Sequence, residues 1–138
     1  MSEQDAYIKY IQDFFGKWVA VYDLFAASIF YAYSHAVKVV DPQPGMNILD
    51  ICTGTGEIAV RCAKAGATVT GIDITEAMLA RAQKKAAGLP ATFLTMDARN
   101  LEFSNAAFDA AIISFGLHDM PRKVRLAVLT EASRVAKR

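Results

Sequence analysis

The run "ILDICTGTGEIA", residues 48–59, constrains the chain more than any other. Apolar residues ending in an acid, a short stretch holding Gly54 and Gly56, and then helix-forming residues describe a buried strand, a tight turn and a helix start. The segments that follow alternate in kind. Strands are predicted over 47–51, 68–72, 92–95 and 108–114, and helices over 57–65, 75–87 and 121–136. Strands separated by helices of about ten residues need crossover connections, and so imply a parallel sheet with helices on both faces.

Residues 5–40 differ. Ile8, Ile11, Phe14 and Phe15, then Phe25, Ile29, Ala32, Ala36 and Val40, recur at helical steps, with a break between two helices expected near Gly16 and Tyr22-Asp23. "DPQPG", 41–45, ends the second helix, since proline lacks an amide donor and restricts the residue before it. The organisation is therefore an N-terminal helical cap, 1–44, on an α/β core, 45–138. At 54% hydrophobic and 21% charged residues, the chain can bury a true core. A net charge of +1 without a basic block gives no reason to expect a nucleic-acid partner. The apolar stretch 24–40 is interrupted by Ser28, Ser34, His35 and Lys38, so a buried helix is expected and not a membrane span. The start lacks a basic region before an apolar run, so no secretory signal is expected. Cys52 and Cys62 lie outside any metal-ligand spacing, which favours reduced thiols, a cytoplasmic location and no metal.

Chemistry gathers at the strand ends. Gly54 and Gly56 allow positive φ and close ligand approach, and the helix opening at Glu57 adds its positive dipole end. Seventeen residues past Gly56, Asp73 ends the second strand, where a carboxylate can accept from both hydroxyls of a ribose. "GTGEIA" also satisfies the G-x-G-x-x-G/A spacing of nicotinamide enzymes, and spacing alone does not separate the two. Asp50 and Asp97, ending the first and third strands, tilt the balance. Three acids around one cleft favour a cationic ligand over one carrying two phosphates, and S-adenosylmethionine is such a ligand.

"ILDICTGTGEIA", "VTGIDITEAMLARAQKK" and "FLTMDARNLEFSNAAFDAAIISFGLHDMP", in that order, resemble the class I S-adenosylmethionine-dependent methyltransferases, and most of all their quinone-biosynthesis C-methyltransferase group. "YDLF", 22–25, is similar to an N-terminal motif of that group. The resemblance covers about two thirds of the chain. It implies a Rossmann-like, doubly wound parallel sheet of order 3-2-1-4. It also implies that Asp50, Thr53, Gly54 and Gly56 line the methionine part of the cofactor, Asp73 the ribose, and Asp97 and Ala98 the adenine, with Ile74 also among the cofactor-binding residues. Cys52 stands where the family usually has a glycine, so ordinary φ and ψ are expected there.

Methyl transfer needs alignment and dryness more than acid–base groups. Where the acceptor must lose a proton, His118 in "SFGLHDMP" and Tyr22 are the leading candidates, with His35 and Tyr33 behind them. Ten of the fourteen aromatic residues fall between Tyr7 and Tyr33, which favours an apolar or aromatic small-molecule acceptor under the cap. The family pattern continues beyond the last helix to a fifth strand, whereas this sequence stops at Arg138. The fourth strand would then be a bare apolar edge, to be covered by a second copy or a partner. An NAD-dependent oxidoreductase and a non-catalytic cofactor-binding half-domain are the rival readings.

Overall fold

A computed structural model describes residues 2–138, apart from the side chains of residues 3, 4 and 26. The elements are α1 (Glu3–Ser28), α2 (Phe30–Val40), β1 (Asn47–Ile51), α3 (Glu57–Lys64), β2 (Thr68–Asp73), α4 (Glu76–Lys85), β3 (Ala91–Thr95), β4 (Ala110–Ile113) and α5 (Arg122–Val135). All strand pairs are parallel, in the order β3-β2-β1-β4 expected from sequence. The order reverses at β1, whose C-terminal end therefore opens onto a crevice.

β1 is central, and its residues from Ile48 to Ile51 are all buried. Because side chains alternate across a strand, Ile48 enters the core built with α2, α3 and α4, while Leu49 and Ile51 enter the one built with α5. Ile58, Ala59, Cys62 and Ala63 of α3 and Leu79 and Ala82 of α4 fill the first core; Val124, Val128 and Val135 of α5 fill the second. Two glycines are fixed by close packing. A Cβ on Gly71 would lie 2.6 Å from the Phe93 ring, and one on Gly56 would lie 2.9 Å from Ala82 Cβ.

The expected break near Gly16 and Tyr22-Asp23 is corrected: α1 runs unbroken to Ser28, and the chain turns at Ile29. Glycine costs about 1 kcal/mol inside a helix, which tertiary contacts offset. Asp23 is held by two cations of α4. At the actual break, Ser28 Oγ donates to the Phe25 carbonyl at 2.6 Å, a local bond of the kind that competes with the helical ladder. α2 ends as expected, with Asp41 in the left-handed region at φ 51° and Pro42 after it.

β4 is shorter than the 108–114 expected. Phe108 instead forms a parallel bridge to Ala136, and the Lys137 amide donates to the Phe108 carbonyl while the Ala111 amide donates to Arg138. Residues 136–138 thus run along the outer edge of β4. Past Ala111, that edge has no strand neighbour among the described residues.

Candidate functional site

The crevice at the ends of β1, β2 and β3 is an open cleft of about 820 Å³, counted to its solvent mouth. Gly54, Asp73, Ile74, Asp97 and Ala98 line its floor, and Tyr7, Ile8, Ile11, Phe15 and Tyr22 of α1 form its apolar wall. A small polar recess opens beside it, lined by Tyr22, Tyr33, Asp50, Thr53, Thr55, Glu57 and Ser114, with Cys52 between the two. Of the candidate site residues read from sequence, Gly56, His118 and His35 line neither cavity.

The turn after β1 is tied to β2. The Gly54 amide donates to Asp73 Oδ2 at 2.9 Å, and the Thr75 amide donates to Asp73 Oδ1 at 2.9 Å. Asp73 therefore joins the glycine turn to the start of α4. Thr75 holds the N-cap position of α4 but makes no side-chain cap bond, and its own amide is the one that Asp73 holds. Burial pushes the Asp73 carboxyl above its usual range in spite of the amide donors of Thr75, Gly54 and Ile74.

Asp50 is 1% exposed, and Thr53 Oγ1 donates to its Oδ2 at 2.6 Å. Burial raises its carboxyl to about 7, against the Thr53 hydroxyl and the Ala59 amide, which favour the charged form. Asp97 behaves oppositely. Partial burial would raise it, but Arg99 forks onto it, with Nε at 2.9 Å and the terminal nitrogen at 2.6 Å from Oδ2, and holds it below the usual range. Sequence reading missed Arg99, although an arginine two positions after a strand-end acid is the available signal. Two poorly solvated acids and one preset acid make a site receptive to cationic and hydrogen-bond-donating ligands.

Cys52 contradicts the expectation of ordinary backbone angles, for it sits at φ 58°. The chain must leave β1 sharply there whichever residue is present, and the Thr53 amide donates to the Ile72 carbonyl at 2.9 Å, holding the turn to β2. The thiol packs against Gly116, where a Cβ would meet Cys52 Cβ at 2.9 Å. Burial pushes it up to about 12, which disfavours the thiolate that a nucleophile needs. Cys62 is buried, and both thiols are free.

Tyr22 touches every part of the site. Its ring lies 3.6 Å from where a Gly54 Cβ would stand, it packs edge-on against Phe15 with ring centroids 5.9 Å apart, and it borders both cavities. His118 is 64% exposed with Nε2 3.1 Å from Asp119 Oδ2, and it is Asp119 and Met120 that reach the cleft. Tyr33 lies in the recess, while His35 borders neither cavity. No group of three or more metal-ligating side chains occurs among the described residues.

Residues 48–138 match the methyltransferase domain family. The chain is 32% identical over 124 residues to the demethylmenaquinone methyltransferase of Desulfitobacterium hafniense, covering 81% of this chain and 49% of that protein. It is 42% identical over 103 residues to the ubiquinone/menaquinone biosynthesis C-methyltransferase UbiE of Rhizobium leguminosarum, covering 70% of this chain and 39% of that protein. It therefore spans about half the length, or less, of these relatives. Among solved structures, the magnesium protoporphyrin IX methyltransferase of Synechocystis with bound S-adenosylmethionine superposes with a TM-score of 0.76 at 25% identity, over 95% of this chain and 72% of that one. With residues 48–138, more than half its length, matching that family, the chain belongs to the methyltransferase domain family, within the class I S-adenosylmethionine-dependent methyltransferases.

Proposed function

We propose that the chain binds S-adenosylmethionine in the crevice beyond β1 and β2 and takes part in transferring its methyl group to a small apolar or aromatic acceptor. The observation that carries the reading is the pairing of Asp73 with the Gly54 amide, which sets a ribose acceptor beside a turn open to close ligand approach. The donor set fits the cofactor: Asp73 with Ile74 for the ribose, Asp97 and Ala98 for the adenine, and Asp50, Thr53 and Gly54 for the methionine end. Gly56 contributes by letting α3 pack on α4. Bound there, the cofactor would supply an already electrophilic methyl on a sulfonium.

The protein's own task is then alignment and exclusion of water. Residues 1–44 act as a cap: the apolar wall of α1 covers the acceptor side, and Tyr22 meets the acceptor where cleft and recess join. His118, reaching the cleft through Asp119, accepts a proton where the acceptor must lose one. The apolar lining supports an apolar acceptor, as do two relatives named for menaquinone and ubiquinone.

A second reading is favoured by β4. Its edge past Ala111 has no strand neighbour among the described residues, and Leu126 and Leu129 of the adjoining α5 are exposed. On that basis the sheet is completed by a second copy or a partner, and the chain alone is a cofactor-binding half. No helix of the described residues is long and apolar enough to cross a membrane, and free thiols suit the reducing cytoplasm. Amide NMR shifts on adding S-adenosylhomocysteine test the main reading. Shifts centred on Gly54, Asp73 and Ala98 would support it, and shifts elsewhere would refute it. Light scattering at micromolar concentration tests the second, which a strictly monomeric, well-folded species defeats.

A further inference from the structure

One ammonium group joins three separate parts of the fold. Lys85, at the end of α4, donates from Nζ to Asp23 Oδ1 at 2.6 Å, to Glu57 Oε1 at 2.7 Å and to Thr55 Oγ1 at 2.9 Å. Its three protons are thus used once each. Arg81, one turn earlier, donates to the other Asp23 oxygen at 2.9 Å. The partners are distant in sequence: Asp23 lies on α1, Thr55 lies inside the glycine turn, and Glu57 opens α3. Thr55 is 1% exposed, and Lys85, Asp23 and Glu57 are each less than a third exposed, so solvent screens these contacts less than surface pairs.

Asp23, Arg81 and Lys85 line neither the cleft nor the recess. Asp23 is nevertheless next to Tyr22, whose ring lies over Gly54. Nearer its start, α1 meets the sheet domain through Gln12 Nε2, which donates to the Ile74 carbonyl at 3.1 Å. An apolar wall alone fixes a helix loosely along its own axis, because dispersion contacts are non-directional. Short charge-assisted hydrogen bonds fix it in register.

We infer that Asp23 and Lys85 are positioning residues, forming a clamp that sets the register of α1 on the glycine turn and thereby holds Tyr22 over Gly54. This rests on the cofactor reading for its effect on binding, but not for its effect on the cap. Severing the clamp would let α1 shift while the sheet stays intact. Cofactor affinity would then fall although no ligand contact has been removed. A merely stabilising ion pair would lower the melting temperature and leave cap and affinity as they were.

The test uses the full chain with Asp23→Asn, which keeps shape and loses charge, and Lys85→Met, which keeps the apolar stem. Hydrogen exchange of α1 amides is read against β1 amides, with emission from Trp18, the sole tryptophan, as a second report on the cap. Both variants are expected to speed α1 exchange with β1 protection retained. They are also expected to weaken S-adenosylhomocysteine binding by roughly two- to thirtyfold, as remote coupling residues do. In a Tyr22→Ala background, Asp23→Asn should add little to the affinity loss, because the clamp acts through that ring. Unchanged α1 exchange in both variants overturns the clamp, as does full additivity with Tyr22→Ala. Were the unmodified chain not to bind S-adenosylhomocysteine, the cofactor reading would fail, and the exchange arm would still decide whether the clamp holds α1. Global loss of β1 protection in one variant passes the decision to the other, and in both it overturns the proposal.

Discussion

Asp50→Asn isolates the electrostatics of the polar recess. Asp50 is fully buried, with its carboxyl raised to about 7 in the folded chain against 3.8 as the reference for an unperturbed aspartate. Between those values the folded state holds a proton that the unfolded state has released. Its contribution to stability is therefore complete below about pH 4 and lost as pH rises through about 7, with a slope of up to ~1.4 kcal/mol per pH unit. From pH 5 to 8 the loss amounts to roughly 3 kcal/mol, because the slope vanishes above the folded pKa. Asparagine cannot ionise and carries no such slope, while it weakens one hydrogen bond to Thr53 or Ala59 by about 1 kcal/mol at every pH. Urea denaturation at pH 5, 6, 7 and 8 compares the two proteins. The variant should be slightly less stable, or equal, at pH 5 and more stable by roughly 2 kcal/mol at pH 8. Parallel stability profiles across the range would mean that Asp50 is ionised throughout, and the argument from burial would be wrong.

Asp73→Ala removes the charge-assisted partner of the ribose and should weaken S-adenosylhomocysteine binding by about 1–3 kcal/mol, measured by calorimetry. Gly56→Ala meets Ala82 at 2.9 Å and holds a positive φ of 81°, so it should cost about 2–3 kcal/mol of stability in urea, while the folded fraction binds the cofactor product nearly as before. Cys52→Val places a β-branched residue at φ 58° and should destabilise by about 2 kcal/mol or more, whereas Cys52→Gly should stay within about 1 kcal/mol of the parent.

The sheet was legible because its information is local. Ile48 to Ile51 form a short apolar-rich run between a Pro-Gly turn and a glycine turn, and crossover helices leave few ways to order the strands. Asp73 and Asp97 were legible as strand-end acids. What the sequence concealed depends on partners far along the chain. Arg81 and Lys85 hold Asp23 within an unbroken α1, although they lie about sixty residues from it. The positive φ of Cys52 follows from the path between β1 and β2, which overrides the preference of the residue. Gly56 reads as a ligand-facing glycine by spacing, yet its missing side chain makes room for Ala82. β4 begins at Ala110, and Phe108 before it pairs with Ala136 of the returning tail, a pairing that no periodicity reports.

Calorimetric titration of the chain with S-adenosylmethionine, S-adenosylhomocysteine and NAD tests the central claim most directly. The acids at the ends of β1, β2 and β3 should admit the sulfonium cofactor and its product at one site per chain and refuse a ligand bearing a pyrophosphate. Saturable binding of NAD, or no binding of either adenosyl ligand to the folded chain, would contradict it.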